Sequence, residues 1–330
     1  MRTLRILAVL LPIFTLLSVH SQDIHWSQIN QLQSFQNPAN IGEFQDDIKF
    51  TLAIKDQWRS VTKPYQTFFG NIDTKLRKIN NLSLACNFVS DITGDGNFKT
   101  NQINVISKYE ILKLKKLHFS IGVDIGMVNK TLQFSNFKYD NQFDGYKYNE
   151  TYNSNENFNT NSSTNYTIGL GSLSKYQIKR NSSVILGYGI YNVNQPKESF
   201  YQLNIVRPIR HHLFSTYNIN FSKYSISTSI NYNHQYVYNE LLIGSLLSLK
   251  TKNIKIPFLF SGLYYRFSDA IILNLGATIN KFKCIFSYDI NISKLNKASN
   301  GRGSLEMTIQ YLLRKQNIKL PIQQKCLDYY

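Results

Sequence analysis

Apolar and polar residues alternate one for one through most of this chain, and that period of two constrains its fold more than any other feature. Ile271, Leu273, Leu275, Ala277 and Ile279 fall on one face of an extended segment, with Asn274, Gly276, Thr278 and Asn280 on the other. Leu117, Phe119, Ile121, Val123, Ile125 and Met127 alternate in the same way with His118, Ser120, Gly122, Asp124 and Gly126. Near the end, Leu305, Met307, Ile309, Tyr311 and Leu313 repeat the pattern. Successive side chains of an extended chain point to opposite sides, so these runs read as strands with one apolar and one wet face.

Strands of about ten residues are long enough to cross a bilayer at a tilt. About fifteen candidate strands lie between Asp47 and Arg314, and bacterial single-chain barrels have even numbers. The reading is therefore all-β: a transmembrane antiparallel β-barrel of about fourteen strands, with Tyr201 to Val206 the weakest candidate. Closure satisfies every backbone donor and acceptor, as hydrocarbon demands. A soluble β-sandwich alternates for the same reason with a protein core in place of lipid. Strand length, persistence of the alternation and tight turns such as DITGDGN favour the barrel. The 22 Tyr and 21 Phe, several near strand ends, suit aromatic girdles at the two interfaces.

Residues 1–21 begin with Arg2 and Arg5, continue through an apolar run from Ile6 to Leu17, and end in small or polar residues. That is the pattern of a cleaved secretory signal peptide. Residues 22–45 form an irregular, polar lead-in, expected on the periplasmic side or inside the barrel. Residues 46–314 are the expected barrel, with an Asn-rich loop near 149–165 read as mobile. Residues 315–330 form a tail that includes Cys326. No other window is long and apolar enough for a membrane helix.

The formal charge of +17 first suggests nucleic acid or an anionic surface. Lys and Arg are scattered through turns and strand ends without a dense cluster, and export argues against nucleic acid. Attraction to the phosphates of outer-membrane lipids stays open beside a generally basic surface. Cys86 and Cys284 sit on apolar strand faces, where a thiol acts as a small hydrophobe. No Cys/His spacing points to a metal, and no cofactor is expected.

His118 beside Ser120 is a neighbour pair that any Ser-rich alternating strand produces, and the GxSxG and HExxH motifs are absent. An enzyme is therefore not expected. Asp91 to Gly96 lacks the ligand ladder of a calcium loop and reads as a hairpin turn. Asp124, Asp289 and Glu306 fall on the wet face, where Lys108, Lys283 or other bases are expected to pair with them.

Several segments, in order, resemble one family. They are QDIHWSQ, then Asn37-Pro38-Ala39, Gln57-Trp58, GDGNFKT, DNQFD and YNVNQPKESF. NELLIGSLLSLK, YRFSDAIILNLG, FSYDINISKL and GSLEMTIQYLL follow. Together they resemble the PorP/SprF family, outer-membrane proteins of the type IX secretion system in gliding and related Bacteroidetes. The Asn-rich loop departs from the family pattern, and the tail has Leu327 where Pro is expected. The resemblance implies a non-enzymatic barrel of the outer membrane that assists export or surface attachment of a partner protein, such as a large adhesin. Implied partners are other type IX components and a secreted surface protein or its C-terminal sorting domain. A porin or transporter for small or hydrophobic solutes is the alternative. The positions matching the family motifs are Asn37, Pro38, Ala39, Gln57, Trp58, Asp269, Tyr288, Asp289, Gly303 and Glu306, with no role assigned. The tail is expected to lie in the periplasm and contact a partner.

Overall fold

A computed structural model describes residues 23–57, 59, 63–76, 79, 81–94, 96–134, 137–155, 160–200, 205–293 and 301–314. The expected signal segment, Trp58, Tyr201 to Asn204 and the expected 315–330 tail lie outside the described residues.

The strands are β1 (Ile48–Gln57), β2 (Tyr65–Lys75), β3 (Leu82–Thr93), β4 (Phe98–Lys113) and β5 (Leu117–Thr131). Next come β6 (Ser162–Lys179), β7 (Ser182–Tyr191), β8 (Arg210–Asn220), β9 (Tyr224–Gln235) and β10 (Tyr238–Lys250). The set ends with β11 (Phe258–Arg266), β12 (Ala270–Ile279), β13 (Phe282–Asn291) and β14 (Arg302–Leu313). Each pairs antiparallel with its sequence neighbours, and β14 closes onto β1, giving a closed barrel of 14 strands. Of the fifteen candidates, the weak one, Tyr201 to Val206, lies mostly outside the described residues; Val206 makes an isolated bridge to Lys197 inside the β7–β8 connection.

β1 shows why the sequence closes in this way. Lys49, Thr51, Ala53 and Lys55 point inward and are buried, while Phe50, Leu52 and Ile54 face outward. The outward residues form a band on which lipid takes the place of a protein core. No helix among the described residues is long and apolar enough to cross a membrane, so the crossing is by strands.

The connections sort by end. At the end where β1 begins and β14 finishes (the terminal end), adjacent strands meet through short turns such as 114–116, 180–181 and 280–281. At the opposite end (the loop end) lie the long connections 132–161 and 192–209. The Asn-rich stretch is shorter than expected as a loop, because residues 162–165 already belong to β6. There Asn165, Thr164, Ser163 and Ser162 pair with Val128, Asn129, Lys130 and Thr131. A polar segment tolerates strand geometry once a neighbouring ladder takes up its backbone groups. The expected DITGDGN hairpin is present, with Gly94 at φ 65° and Asn97 at φ 45°, values that Gly and Asn tolerate best.

Candidate functional site in the barrel lumen

The lumen is filled by the lead-in. Residues 23–43 run from the loop end to the terminal end inside the strands, so of the two expected positions the interior one holds. Asp23 meets Arg207, Gln235 and Asn192 at the loop end, and Glu43 meets Lys108 and Lys175 near the terminal end. Between them lie two short 3-10 turns (Ile29–Gln31 and Pro38–Asn40) and one α-helical turn (Gln33–Gln36).

Apolar packing gives this plug a core of its own. Trp26, Ile29 and Leu32 pack against Ala53, Phe69, Val89, Leu242, Leu246, Tyr264, Ile272 and Ile285 of the wall. Trp26, Phe35 and Phe69 form an edge-to-face triangle with centroid separations of 6.5, 6.2 and 6.2 Å, the arrangement ring quadrupoles favour. Most positions of the inner face are polar, as expected, but not all of them. Phe69, Ile272 and Ile285 break that face because they seat the plug.

Polar contacts fix its register. The Glu306 carboxylate accepts the Ser27 N–H at 2.8 Å through one oxygen and the Gln28 N–H at 2.9 Å through the other. It also pairs with Lys55 at 3.2 Å, and Lys55 donates to the His25 carbonyl at 2.7 Å. Beside it, Asp289 accepts from the Ser27 hydroxyl at 2.7 Å and the Ser304 hydroxyl at 2.8 Å, and faces the Arg266 guanidinium at 3.3 Å. Glu306 and Asp289 therefore do project into the lumen, but onto Lys55 and Arg266. The expected partners are used otherwise: Lys283 donates to the Gln31 side chain at 2.7 Å, and Lys108 holds Glu43. Asp124 instead accepts from the Asn104 side chain at 3.0 Å.

The opposite wall is also engaged. Asn30 donates to Ser229 at 2.7 Å, Gln36 donates to Asn231 at 2.8 Å, and Tyr191 donates to the Phe35 carbonyl at 3.1 Å. A polar group buried without a partner costs about 1–3 kcal/mol, so these contacts specify one seating among the sterically possible ones.

Asn37, Pro38 and Ala39 make the closest approach to the wall. The Asn37 side chain accepts the Ala39 N–H at 2.7 Å, capping its own turn, and donates to the Ser172 carbonyl at 3.2 Å. Facing them, Gly122 and Gly171 are direct cross-strand partners on β5 and β6. A Cβ on Gly122 would overlap the Pro38 carbonyl group, and one on Gly171 would overlap the Asn37 side-chain oxygen. The missing side chains are the socket for this turn.

The remaining motif positions disperse. Asp269 sits in the β11–β12 turn, paired with Arg266 at 2.9 Å, and its carbonyl accepts the Ile292 N–H at 2.8 Å. Gly303 lies beside the bulge between Tyr288 and Ile290, where a Cβ would overlap the Asp289 carbonyl. Tyr288 faces outward toward lipid. Gln57 ends β1 and lines a cavity of about 500 Å³ above the plug at the loop end, shared with Tyr65, Phe98, Lys130 and Phe200.

Sequence reasoning missed Lys55, Arg266, Arg207, Arg210, Gly122 and Gly171. A signal was present: 23–47 holds Asp23, Glu43, Asp46 and Asp47 but no Lys or Arg, while inward positions of the strands carry Lys49, Lys55, Lys108 and Lys283.

Electrostatics bind both ends of the plug. Burial opposes ionisation of Asp23, but the Arg207 and Arg210 guanidiniums outweigh it and hold the carboxyl well below the usual carboxylate range. Burial likewise opposes the charge on Glu43, and Lys108 and Lys175 bring its pKa down to about 2. His25 is kept neutral by burial, with Lys55 and Arg266 adding to the effect. His118 contacts Glu110 at 2.6 Å near the terminal end. Among the described residues no group of three or more His, Cys, Asp or Glu is placed to hold a metal.

The family model of the type IX secretion system membrane protein PorP/SprF matches residues 18–311, and the chain belongs to that family. No curated protein matches its sequence. Among solved structures, the CymD monoaromatic hydrocarbon channel superposes with a TM-score of 0.50 at 9% identity, covering 86% of this chain and 93% of that one. A Pseudomonas aeruginosa FadL homologue gives 0.49 at 10% identity, covering 85% and 94%. At such identities the likeness concerns the barrel fold alone. A secretion-system membrane protein that crosses its bilayer as a closed β-barrel is a multi-pass protein of the outer membrane.

Proposed function

We propose that this member of the PorP/SprF family assists export or surface attachment of a partner protein through protein–protein contacts, and that it is not an enzyme. The observation that carries the reading is the seated plug. A lumen crossed from end to end by residues 23–43, packed on Trp26 and held by Glu306, offers a docking body in place of an open conduit. The partners fitting this role are other type IX components and a secreted surface protein carrying a C-terminal sorting domain.

The test has two arms. Deleting the gene for the chain is expected to abolish surface display of one secreted protein, and that protein's sorting domain is expected to bind the purified barrel. In a planar bilayer, the intact protein is expected to pass no steady current. Normal display in the deletion strain would remove the secretion reading. A steady open-channel current would favour the solute-transporter reading instead, drawing on the cavity above the plug.

A further inference from the structure

Basic residues that look scattered along the chain are gathered by the topology onto one rim. At the terminal end the turn between β4 and β5 carries Lys115 and Lys116, that between β6 and β7 Arg180, and that between β8 and β9 Lys223. The β10–β11 turn carries Lys252 and Lys255, and the β12–β13 turn Lys281, all exposed. Acidic groups near this rim are few and engaged. Glu110 pairs with Lys113 and His118, and Asp46 pairs with Arg314. The loop end differs, since there Asp140, Asp144 and Glu150 are interspersed with Lys138 and Lys147.

The same rim presents apolar and aromatic residues between its bases. Ile254 is 94% exposed between Lys252 and Lys255, and Leu114 is 54% exposed beside Lys115. Phe221 stacks on Tyr224 at 4.5 Å, and Phe282 lies 4.8 Å from Tyr311. These rings continue the outward lipid-facing band, as girdle aromatics do at a bilayer interface. Short turns of bacterial outer-membrane barrels face the periplasm, so this rim lies at the inner leaflet.

We infer that the terminal rim is a binding surface for anionic phospholipid headgroups of that leaflet, with the turn lysines and Arg180 as phosphate ligands. Two observations favour lipid over an acidic protein. Among the described residues the bases follow the rim from the β4–β5 turn to the β12–β13 turn, as contact with a lipid annulus requires, and Lys115, Lys223, Lys252, Lys255 and Lys281 each adjoin an outward-facing apolar or aromatic residue. Stems of Lys and Arg lie along apolar surface while their heads reach phosphate, and basic groups near a membrane surface attract anionic lipid.

The test uses the full protein reconstituted in equal parts of dioleoyl phosphatidylglycerol and dioleoyl phosphatidylcholine, then extracted gently, with retained lipids counted by native mass spectrometry. The wild-type barrel is expected to retain phosphatidylglycerol over phosphatidylcholine by about fivefold. Lys115→Gln, Lys116→Gln, Lys252→Gln and Lys255→Gln together are expected to lower that ratio by at least about half, with Arg180, Lys223 and Lys281 holding the remainder. The loop-end set Arg59→Gln, Lys138→Gln, Lys147→Gln and Lys197→Gln, matched in charge, is expected to leave it unchanged. Heat-modifiable migration on gels checks that each variant folds, and Lys→Arg at the four rim positions keeps the preference. Equal loss in both sets, or no preference in the wild type, overturns the proposal. So does a rim that binds polyglutamate but shows no lipid preference, which would make it a protein-docking surface.

Discussion

Glu306, on the strand that closes the barrel, accepts the backbone N–H of Ser27 at 2.8 Å across a sequence separation of 279 residues. The same carboxylate is the register partner of Lys55 on β1. One side chain therefore joins the first strand, the last strand and the plug, and the seating of the plug is tied to closure of the barrel.

Glu306→Gln tests that coupling. The amide cannot neutralise Lys55, and it replaces an accepting oxygen with a donor facing backbone N–H groups. Removing one partner of a buried ion pair costs about 3–5 kcal/mol. The expected outcome is a barrel that still shows heat-modifiable migration but whose 23–43 segment is cut by added protease. A segment as resistant as in the wild type would show that Glu306 does not hold the plug.

Gly122→Val and Gly171→Val act on the plug by sterics alone. A side chain at 122 would occupy the space of Pro38 and Ala39, and one at 171 that of Asn37 and Pro38; overpacking costs about 1–3 kcal/mol. Trp26 reports the seating once Trp58→Phe removes the other tryptophan. Its emission is expected to shift to the red in both glycine variants. The outward-facing Ile121→Val is expected to leave the emission unchanged, which separates plug displacement from general loosening of β5.

Alternation made the barrel legible. In β1, Phe50, Leu52 and Ile54 against Lys49, Thr51 and Lys55 identify both faces without any structure. The pairing of Lys55 with Glu306 was not legible, because it arises only when β14 closes onto β1 in one register. Phe69, Ile272 and Ile285 read as interruptions of the inner pattern until Trp26 and Ile29 are placed against them. Asn37, Pro38 and Ala39 were singled out by sequence, whereas Gly122 and Gly171 read as ordinary small residues of a wet face. What makes them a socket is an approach between segments far apart in the chain, which local pattern does not encode.

Trp26→Ala is expected to be the most costly apolar truncation in the lumen. The side chain is 1% exposed and forms edge-to-face contacts with both Phe35 and Phe69. Large aromatic-to-alanine changes in cores cost about 3–5 kcal/mol. Chemical denaturation followed by tyrosine emission is expected to show a lower midpoint. Phe50→Ala, on the lipid face, is expected to cost less. Equal midpoints for the two variants would mean that the plug adds no stability to the barrel.

Acid should release the terminal end of the plug before it unfolds the barrel. Glu43 has a pKa brought down to about 2 from the ordinary carboxylate value of 4.5: burial opposes its charge, and Lys108 with Lys175 outweighs burial. A carboxylate depressed in the folded state contributes stability that is complete above its unfolded pKa and fades as pH falls through the folded one. The contribution is thus fully present from neutral pH down to about 5, declines below about 4.5, and is largely gone near pH 2. Protection of the amides of residues 40–44 against hydrogen exchange, taken relative to the intrinsic rate at each pH, is expected to fall across that window. Glu43→Gln is expected to exchange rapidly already at pH 7 and to lose the acid-dependent step. If the wild type and Glu43→Gln exchange alike at pH 7, the two lysines are not what holds this end of the plug.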